Sequence, residues 1–201
     1  MFFNYFNMPQ LRHPAMVQQV QQMTFIHLPP CPEECKQARA LAADMGRINR
    51  SIRQGEGNFV GFLGELAAVR YLSYLGAKRE NTYQHDLTIG PYRFDVKTKQ
   101  RSQLPREHYQ ASVADYQDQK CHALIFASVM MQDDQPQMIT LCGYMSRKDF
   151  YAQSDIIRAG DVDPENGWQC SMDCRNIEYK RLKGMFDLEC QLMLAMGVPE
   201  A

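Results

Sequence analysis

The segment from residue 85 to residue 97 constrains the fold more than any other part of this chain. Its sequence is His-Asp-Leu-Thr-Ile-Gly-Pro-Tyr-Arg-Phe-Asp-Val-Lys, in which apolar residues alternate on both sides of Gly90-Pro91. This alternation around a Gly-Pro pair predicts a β-hairpin. If Gly90 and Pro91 form the centre of the turn, Asp86 lies directly opposite Asp95.

Alternation also predicts which side chains share a face of the second arm, because successive side chains of a strand point to opposite faces. One face carries Arg93, Asp95, Lys97 and Lys99, and the other carries Tyr92, Phe94, Val96 and Thr98. Like charges that face each other across a strand pair repel, so a cation between Asp86 and Asp95 would stabilise the hairpin. The simpler interpretation is an amphipathic strand whose exposed face carries charges of alternating sign.

Residues 58 to 75 predict a helix that ends just before Gly76. The segment is apolar almost all round, so we expect it to be buried on more than one side. Glu65 lies in the middle of this segment. A buried, unpaired carboxylate is unfavourable, so Glu65 requires a tertiary Arg or Lys, protonation, or a metal ion. Gly61 and Gly64 predict that another backbone approaches this helix closely.

The order of these parts resembles that of the PD-(D/E)XK nuclease superfamily. A glutamate on a buried helix (Glu65) is followed by an aspartate on one strand (Asp86) and by Asp95-Val96-Lys97 on the next. The resemblance covers about residues 50 to 145, and the chain is also similar there to uncharacterised tailed-phage proteins. It implies the restriction-endonuclease-like fold, an α/β fold with a mixed central sheet flanked by helices.

The resemblance also implies a function and a set of site residues. The protein is expected to be a nuclease that uses Mg²⁺ or Mn²⁺ to hydrolyse phosphodiester bonds of DNA, with Glu65, Asp86, Asp95 and Lys97 as catalytic residues. Asp86, Asp95 and the main-chain carbonyl of Val96 offer the hard oxygen ligands that these cations prefer. Glu65 would complete the metal shell directly or through water. Lys97 would orient the attacking water or offset charge in the transition state.

Two positions depart from the superfamily pattern, and one further class of function stays open. Gln84-His85 precedes Asp86 where the motif has proline, and no Gln-x-x-x-Tyr of the exonuclease-type branch follows Lys97. An endonuclease is therefore favoured over an exonuclease. The alternative is a non-catalytic module on the same fold that binds DNA or a host protein, as a phage accessory or inhibitor protein would.

Basic residues cluster near the predicted hairpin although the whole chain has a net charge of −1. Residues 91 to 106 contain five basic residues and one acid, whereas residues 107 to 201 contain eight basic and fifteen acidic residues. Contacts with phosphates would be concentrated in the first segment and would be sensitive to salt. The candidate residues for binding nucleic acid are Arg93, Lys99, Arg101 and Arg106.

The remaining sequence predicts one domain over residues 31–201, preceded by an N-terminal arm over residues 1–30 that is either free or a subunit contact in a homodimer. We expect no signal peptide, because the arm lacks a basic start followed by an apolar run. No segment is long and apolar enough to cross a membrane.

Seven cysteines, an odd number, indicate a reducing compartment, the cytoplasm of a bacterium or of a phage-infected host. Two pairs share a Cys-x₃-Cys spacing, Cys31 with Cys35 and Cys170 with Cys174. Together they could bind zinc or an iron–sulfur cluster if the two ends of the chain meet. We expect buried thiols instead, because structural zinc sites usually use closer pairs.

Other elements are predicted from apolar periodicity, turn residues and caps. They are a helix that begins after Pro30-Cys31-Pro32 and whose apolar stripe continues to Ile52, strands over 122–131 and 137–144 joined by a turn over 133–136, a helix over 147–153 capped by Ser146, a surface loop over 161–167, a strand over 174–182 and a helix over 185–196.

Overall fold

A mixed β-sheet with helices against it organises the protein. The computed structural model describes residues 25–45, 58–80, 82–115, 120–162, 167 and 169–197. The described helices are α1 (Pro32–Met45), α2 (Asn58–Tyr71), α3 (Arg147–Gln153) and α4 (Met185–Met196). The described strands are β1 (Ile26–Leu28), β2 (Lys78–Arg79), β3 (Leu87–Ile89), β4 (Tyr92–Arg101), β5 (Gln110–Ala114), β6 (Ala123–Gln132), β7 (Gln135–Ser146), β8 (Asp155–Ile157) and β9 (Cys174–Glu178).

The predicted hairpin is formed by β3 and β4, and its predicted register is confirmed. Leu87 faces Phe94 and Ile89 faces Tyr92, so Gly90 and Pro91 are the two residues of the turn. Gly90 has a φ of +54°, a conformation that glycine adopts without the steric penalty of a side chain. The hairpin register therefore follows from the local sequence.

Six strands form the central sheet in the order β1-β7-β6-β4-β3-β2. β4 and β6 are parallel, and the other neighbouring pairs are antiparallel. The apolar run predicted as a central strand is β6, which lies between β4 and β7 as its burial on both faces requires. A mixed α/β sheet flanked by helices is thus confirmed. No helix in the described ranges is long and apolar enough to cross a membrane.

Several local boundaries differ from those predicted. The turn between β6 and β7 contains only Asp133 and Asp134, which both have positive φ, a conformation that suits two-residue hairpin turns and that Asp tolerates. Pro136 therefore belongs to β7. Residues 26–28, assigned above to the N-terminal arm, pair with β7 as strand β1, whereas residues 1–24 lie outside the described residues.

Helices α1, α2 and α4 cover one face of the sheet, whereas Phe150 of α3 packs on the other face. Phe94 and Val96 of β4 point into an apolar cluster that includes Leu72, just after α2, and Leu188 of α4. A neighbouring cluster joins α1 and α2 to the far ends of β6 and β7. The extent of the first helix beyond Met45 cannot be compared with the prediction, because residues 46–57 lie outside the described part of the chain.

A second, three-stranded sheet covers the opposite face and was not predicted. Its strand order is β5-β9-β8, and all of its pairs are antiparallel. Val113 of β5 and Ile177 of β9 pack with Leu124 and Phe126 of β6 in one apolar cluster. The last predicted strand, over 174–182, is shorter than expected because residues after Glu178 form a 3₁₀ turn.

Helix α2 fits against β4 at one glycine. A Cβ built on Gly64 would lie 2.0 Å from Thr98 Oγ1 and 3.0 Å from Thr98 Cβ, whereas a Cβ on Gly61 would have no heavy atom within 4 Å. The predicted close approach therefore occurs at Gly64, against a side chain, and not at Gly61. A side chain at position 64 would push α2 away from the sheet.

We predict that Gly64→Ala lowers the free energy of unfolding by about 1–3 kcal/mol, the usual effect of overpacking. Gly61→Ala is the matched control on the same helix. It should raise stability by roughly 0.5–1 kcal/mol, because alanine favours helix and finds open space there. Urea unfolding of both variants measures the difference. Equal effects of the two substitutions would show that α2 does not pack against Thr98 as described.

Candidate functional site

The predicted site begins where β3 begins. Asp86 immediately precedes β3, and its main-chain N–H donates to the carbonyl of Phe94, which continues the hairpin register. Its side-chain Oδ2 accepts the N–H of Val96 at 2.6 Å. The side chain of Asp86 thus accepts a main-chain N–H of β4 just beyond the end of the β3–β4 ladder. This bond fixes Asp86 beside Asp95 and Lys97.

Asp95 and Lys97 point to the same face of β4, as predicted, and form an ion pair. Lys97 Nζ lies 2.7 Å from Asp95 Oδ2. Asp95 is 3% exposed, whereas the side chain of Lys97 is 26% exposed and reaches solvent. Burial opposes the charged amine, but the attraction of Asp95 and Asp86 outweighs it and raises the pKa of Lys97. Lys97 is therefore a cation at neutral pH.

Glu65 of α2 is paired with an arginine that the sequence analysis did not select. Its Oε2 lies 2.9 Å from Nε of Arg79, on β2, and both side chains are largely buried. Burial raises the pKa of Glu65 to about 7, although Arg79 pulls it down, and the negative charge of Asp95 adds to the rise. Of the three solutions expected for this buried carboxylate, the structure shows the tertiary arginine.

The four predicted residues form one electrostatic unit. Burial, with the negative charges of Asp95 and Glu65, raises the pKa of Asp86 well above its ordinary value. Glu65 in turn interacts with Asp95 and Lys97. The structure therefore brings Glu65, Asp86, Asp95 and Lys97 together, although three separate elements carry them. When all three carboxylates are ionised, their three negative charges exceed the two positive charges of Lys97 and Arg79 by one.

The chemistry of the donor set fits a hard divalent cation, but the side chains are not arranged around one. Within the described ranges, no group of three or more His, Cys, Asp and Glu side chains is positioned to hold a metal ion. Glu65 faces Arg79 and Asp95 faces Lys97 instead. The oxygen ligands that such a cation prefers are the carboxylates of Asp86 and Asp95 and the carbonyl of Val96. Their role as ligands stays a prediction.

The four residues expected to bind nucleic acid fall into two groups. Arg93 and Arg106 are exposed. Lys99 and Arg101 donate instead to the carbonyl oxygen of Gln110 on β5, at 3.2 and 2.8 Å. These two side chains therefore connect the central sheet to the second sheet. A role of any of the four toward nucleic acid stays a prediction.

The two cysteine pairs lie in different environments. Cys170 Sγ and Cys174 Sγ are 3.6 Å apart, and both residues are buried. Cys35 packs instead in the cluster between α1 and α2, and the thiol of Cys31 donates to Glu33. The part of the chain that the structure describes includes all four, and it does not join them into one metal-ligating group.

Comparisons with known proteins add no family to this description. No protein-family model, no curated protein and no solved structure matches the chain. The interpretation of the site therefore rests on its own residues.

The raised pKa of Glu65 makes a prediction about stability and pH. A carboxyl group that titrates near 7 in the native state and near 4.5 in the unfolded chain holds its proton more tightly when folded. Without metal, stability should therefore fall as the pH rises from about 4.5 to 7. The loss from Glu65 should be on the order of 3 kcal/mol.

Urea unfolding in the presence of a chelator, from pH 4.5 to pH 8, measures this loss. Glu65→Gln should flatten the decline, although the part contributed by Asp86 stays. Glu107→Gln, at an exposed glutamate, should leave the profile of the wild type unchanged. Parallel profiles for wild type and Glu65→Gln would contradict the raised pKa.

Proposed function

We propose that this protein is a divalent-metal-dependent nuclease that hydrolyses phosphodiester bonds of DNA, as an endonuclease, with Mg²⁺ or Mn²⁺ held by Asp86, Asp95 and the carbonyl of Val96. The observation that carries the proposal is the convergence of three carboxylates and a lysine at one edge of β4. Folding alone does not require this arrangement, since each buried carboxylate is unfavourable. The resemblance to the PD-(D/E)XK superfamily supports the same conclusion.

The residues of the site have separate tasks in this proposal. A bound divalent cation would polarise the phosphodiester and lower the pKa of a bound water. Asp86 is held in place by the Val96 N–H, so its carboxylate keeps a fixed position on the hairpin. Lys97 is a cation whose amine can donate to the attacking water or to a phosphate oxygen. Lys97 is carried by strand β4 and Asp86 immediately precedes β3, and this attachment to the sheet favours accurate positioning.

Binding of the cation should depend on pH. The pKa of Asp86 is raised well above its ordinary value and that of Glu65 is raised to about 7, so part of the Glu65 population is protonated near neutral pH. A divalent cation binds the ionised form and therefore releases protons. The negative charge of the site, and with it metal affinity, should accordingly increase as the pH rises through the pKa of Glu65, about 7.

The surroundings of the site suit a nucleic-acid substrate. Arg93 is two residues before Asp95 on β4, so it lies on the same face of the strand, and it is exposed. Arg106, in the segment that follows β4, is also exposed. DNA is the proposed partner. The cytoplasm of a bacterium or of a phage-infected host is the proposed compartment.

One observation favours a non-catalytic alternative on the same fold. Asp95 and Glu65 already have basic partners, Lys97 and Arg79. A module that only binds DNA or a host protein could use these ion pairs to stabilise the fold. The two functions differ in whether a divalent cation displaces Lys97 from Asp95.

We predict that a divalent cation stabilises the native protein. At a Mn²⁺ concentration 100 times its Kd, the free energy of unfolding should rise by about 2.7 kcal/mol. Asp95→Asn should lose most of this rise. Its stability without metal is a poor readout, because the substitution relieves the repulsion from Asp86 and also removes the partner of Lys97. Thermal melts at pH 8, with chelator and with Mn²⁺, measure the effect.

Asp134→Asn is the matched control for these melts. It removes the same charge in the β6–β7 turn, where asparagine suits the positive φ, and it should keep the full response to Mn²⁺. An equal response in wild type and Asp95→Asn would contradict the proposed metal ligands.

We also predict that Lys97→Ala separates metal binding from catalysis. Lys97 offers no ligand oxygen, so the variant should keep the thermal response to Mn²⁺. It should lose cleavage of DNA by roughly 10²–10³-fold, the usual effect of removing one electrostatic donor. Cleavage of single-stranded, duplex and branched DNA measures the activity. A wild-type protein that shows neither the thermal response nor cleavage would support the binding module.

A further inference from the structure

We propose that Arg79 is the phosphate-binding cation of this site and that Glu65 positions Arg79 instead of ligating the metal. The inference rests on the proposed function, since it names how the same site receives the phosphodiester of its substrate. It differs from the role that the superfamily resemblance gives to Glu65.

The guanidinium of Arg79 is anchored on one edge and on one face. Its Nε lies 2.9 Å from Oε2 of Glu65, and its Cζ lies 5.0 Å from the ring centroid of Phe62. Glu65 and Phe62 both belong to α2, so a single rigid helix fixes the plane of the guanidinium. The side chains of Arg79 and Glu65 are 18% and 12% exposed, which limits their freedom to take other rotamers.

This anchoring leaves most donors of Arg79 available. A guanidinium has five N–H donors, and only the one on Nε has a hydrogen-bond acceptor among residues 25–45, 58–80, 82–115, 120–162, 167 and 169–197. The other four are on the two terminal nitrogens. Those nitrogens form the planar fork that binds two oxygens of a phosphate.

The position of Arg79 places this fork beside the carboxylates. Arg79 pairs with Leu87 across β2 and β3, and the next residue, Glu80, donates its N–H to the carbonyl of Asp86 at 2.7 Å. Glu65, which holds Arg79, interacts electrostatically with Asp95 and Lys97. Two of the carboxylates therefore each have a basic partner, Arg79 at Glu65 and Lys97 at Asp95. A phosphodiester that reaches the site would meet both cations.

Charge balance explains why Glu65 is assigned to Arg79. If Glu65 turned to a metal ion, it would leave Arg79 without an anionic partner in a largely buried position, which is unfavourable. Asp86 and Asp95 can accept the metal without that loss, because Lys97 reaches solvent. The glutamate on the helix then contributes to substrate binding through the arginine.

The first test measures DNA binding by fluorescence anisotropy, with duplex and single-stranded forms of one labelled oligonucleotide, in chelator and in Ca²⁺. Arg79→Gln should weaken binding on the order of tenfold, as expected for loss of a charged hydrogen bond. It should also reduce the slope of log K against log salt by about 0.9 for the duplex or 0.7 for the single strand. Arg79→Lys, which keeps the charge but not the fork, should be intermediate.

Lys78→Gln is the matched control, because it removes the same charge from the neighbouring, exposed position of β2. It should change affinity and salt slope much less than Arg79→Gln. Because Arg79→Gln leaves Glu65 without its partner, the double variant Glu65→Gln/Arg79→Gln provides a folded comparison whose two amides can bond to each other. Equal binding by this double variant and Lys78→Gln, or no DNA binding by the wild type in either condition, would overturn the inference.

The second test asks whether Glu65 ligates the metal. Glu65→Gln should keep the thermal response to Mn²⁺ that Asp95→Asn loses, and because its amide oxygen can still accept the N–H of Arg79 Nε, it should weaken DNA binding less than Arg79→Gln does. Loss of the Mn²⁺ response in Glu65→Gln, as complete as in Asp95→Asn, would show that Glu65 is a metal ligand and would overturn the assignment. If the wild type neither cleaves DNA nor responds to Mn²⁺, while Arg79→Gln still weakens DNA binding, the nuclease proposal fails and the phosphate-binding role of Arg79 stands.

Discussion

The register of the β3–β4 hairpin is the constraint on which the site depends. Leu87 and Phe94 face each other on the helix-covered side of the sheet, which turns Asp95 to the opposite side. A slip of one residue would exchange the two faces. Phe94 and Val96 would then leave the apolar cluster, and Asp95 and Lys97 would enter it without partners. Burial of the apolar side chains therefore fixes the polar ones, and the local turn at Gly90-Pro91 specifies both.

The same burial makes the ionised form of the carboxylates unfavourable. The neighbouring Lys97 and Arg79 offset this cost only in part. Glu65 keeps a pKa near 7 although Arg79 lies 2.9 Å away, because burial outweighs the attraction. Asp86 is raised as well, even though the N–H of Val96 bonds to it. The two positive charges of Lys97 and Arg79 therefore do not neutralise the three carboxylates of the site, and a further cation would stabilise their ionised forms. Strongly perturbed pKa values of this kind cluster at functional sites.

Local patterns predicted much of the fold and most of the candidate site. The alternation of apolar residues around Gly90-Pro91 predicted the hairpin register, and a continuous apolar run predicted β6. Ser146 predicted the start of α3, and its side chain accepts the N–H of Asp149 there. The second sheet was missed because only β9 of its three strands was predicted, and because the three strands come from distant parts of the chain. Alternation also could not show that this sheet covers Lys99 and Arg101, since covered and exposed faces alternate alike. Arg79 lies after the end of α2 and belongs to no sequence motif, so the sequence analysis did not select it.

A nuclease and a binding module would differ at this site in whether a carboxylate exchanges its basic partner for a divalent cation. In the structure Asp95 holds Lys97, and Glu65 holds Arg79. The two pairs are not equivalent, because the lysine is more exposed than the arginine and its flexible amine can move into solvent, whereas the planar guanidinium is held against Phe62. In the proposed nuclease, exchange should therefore occur at Asp95, and a released Lys97 would stay beside the reacting phosphate. The pair of Glu65 and Arg79 would stay intact, so the proposed site would combine a movable cation with a fixed one.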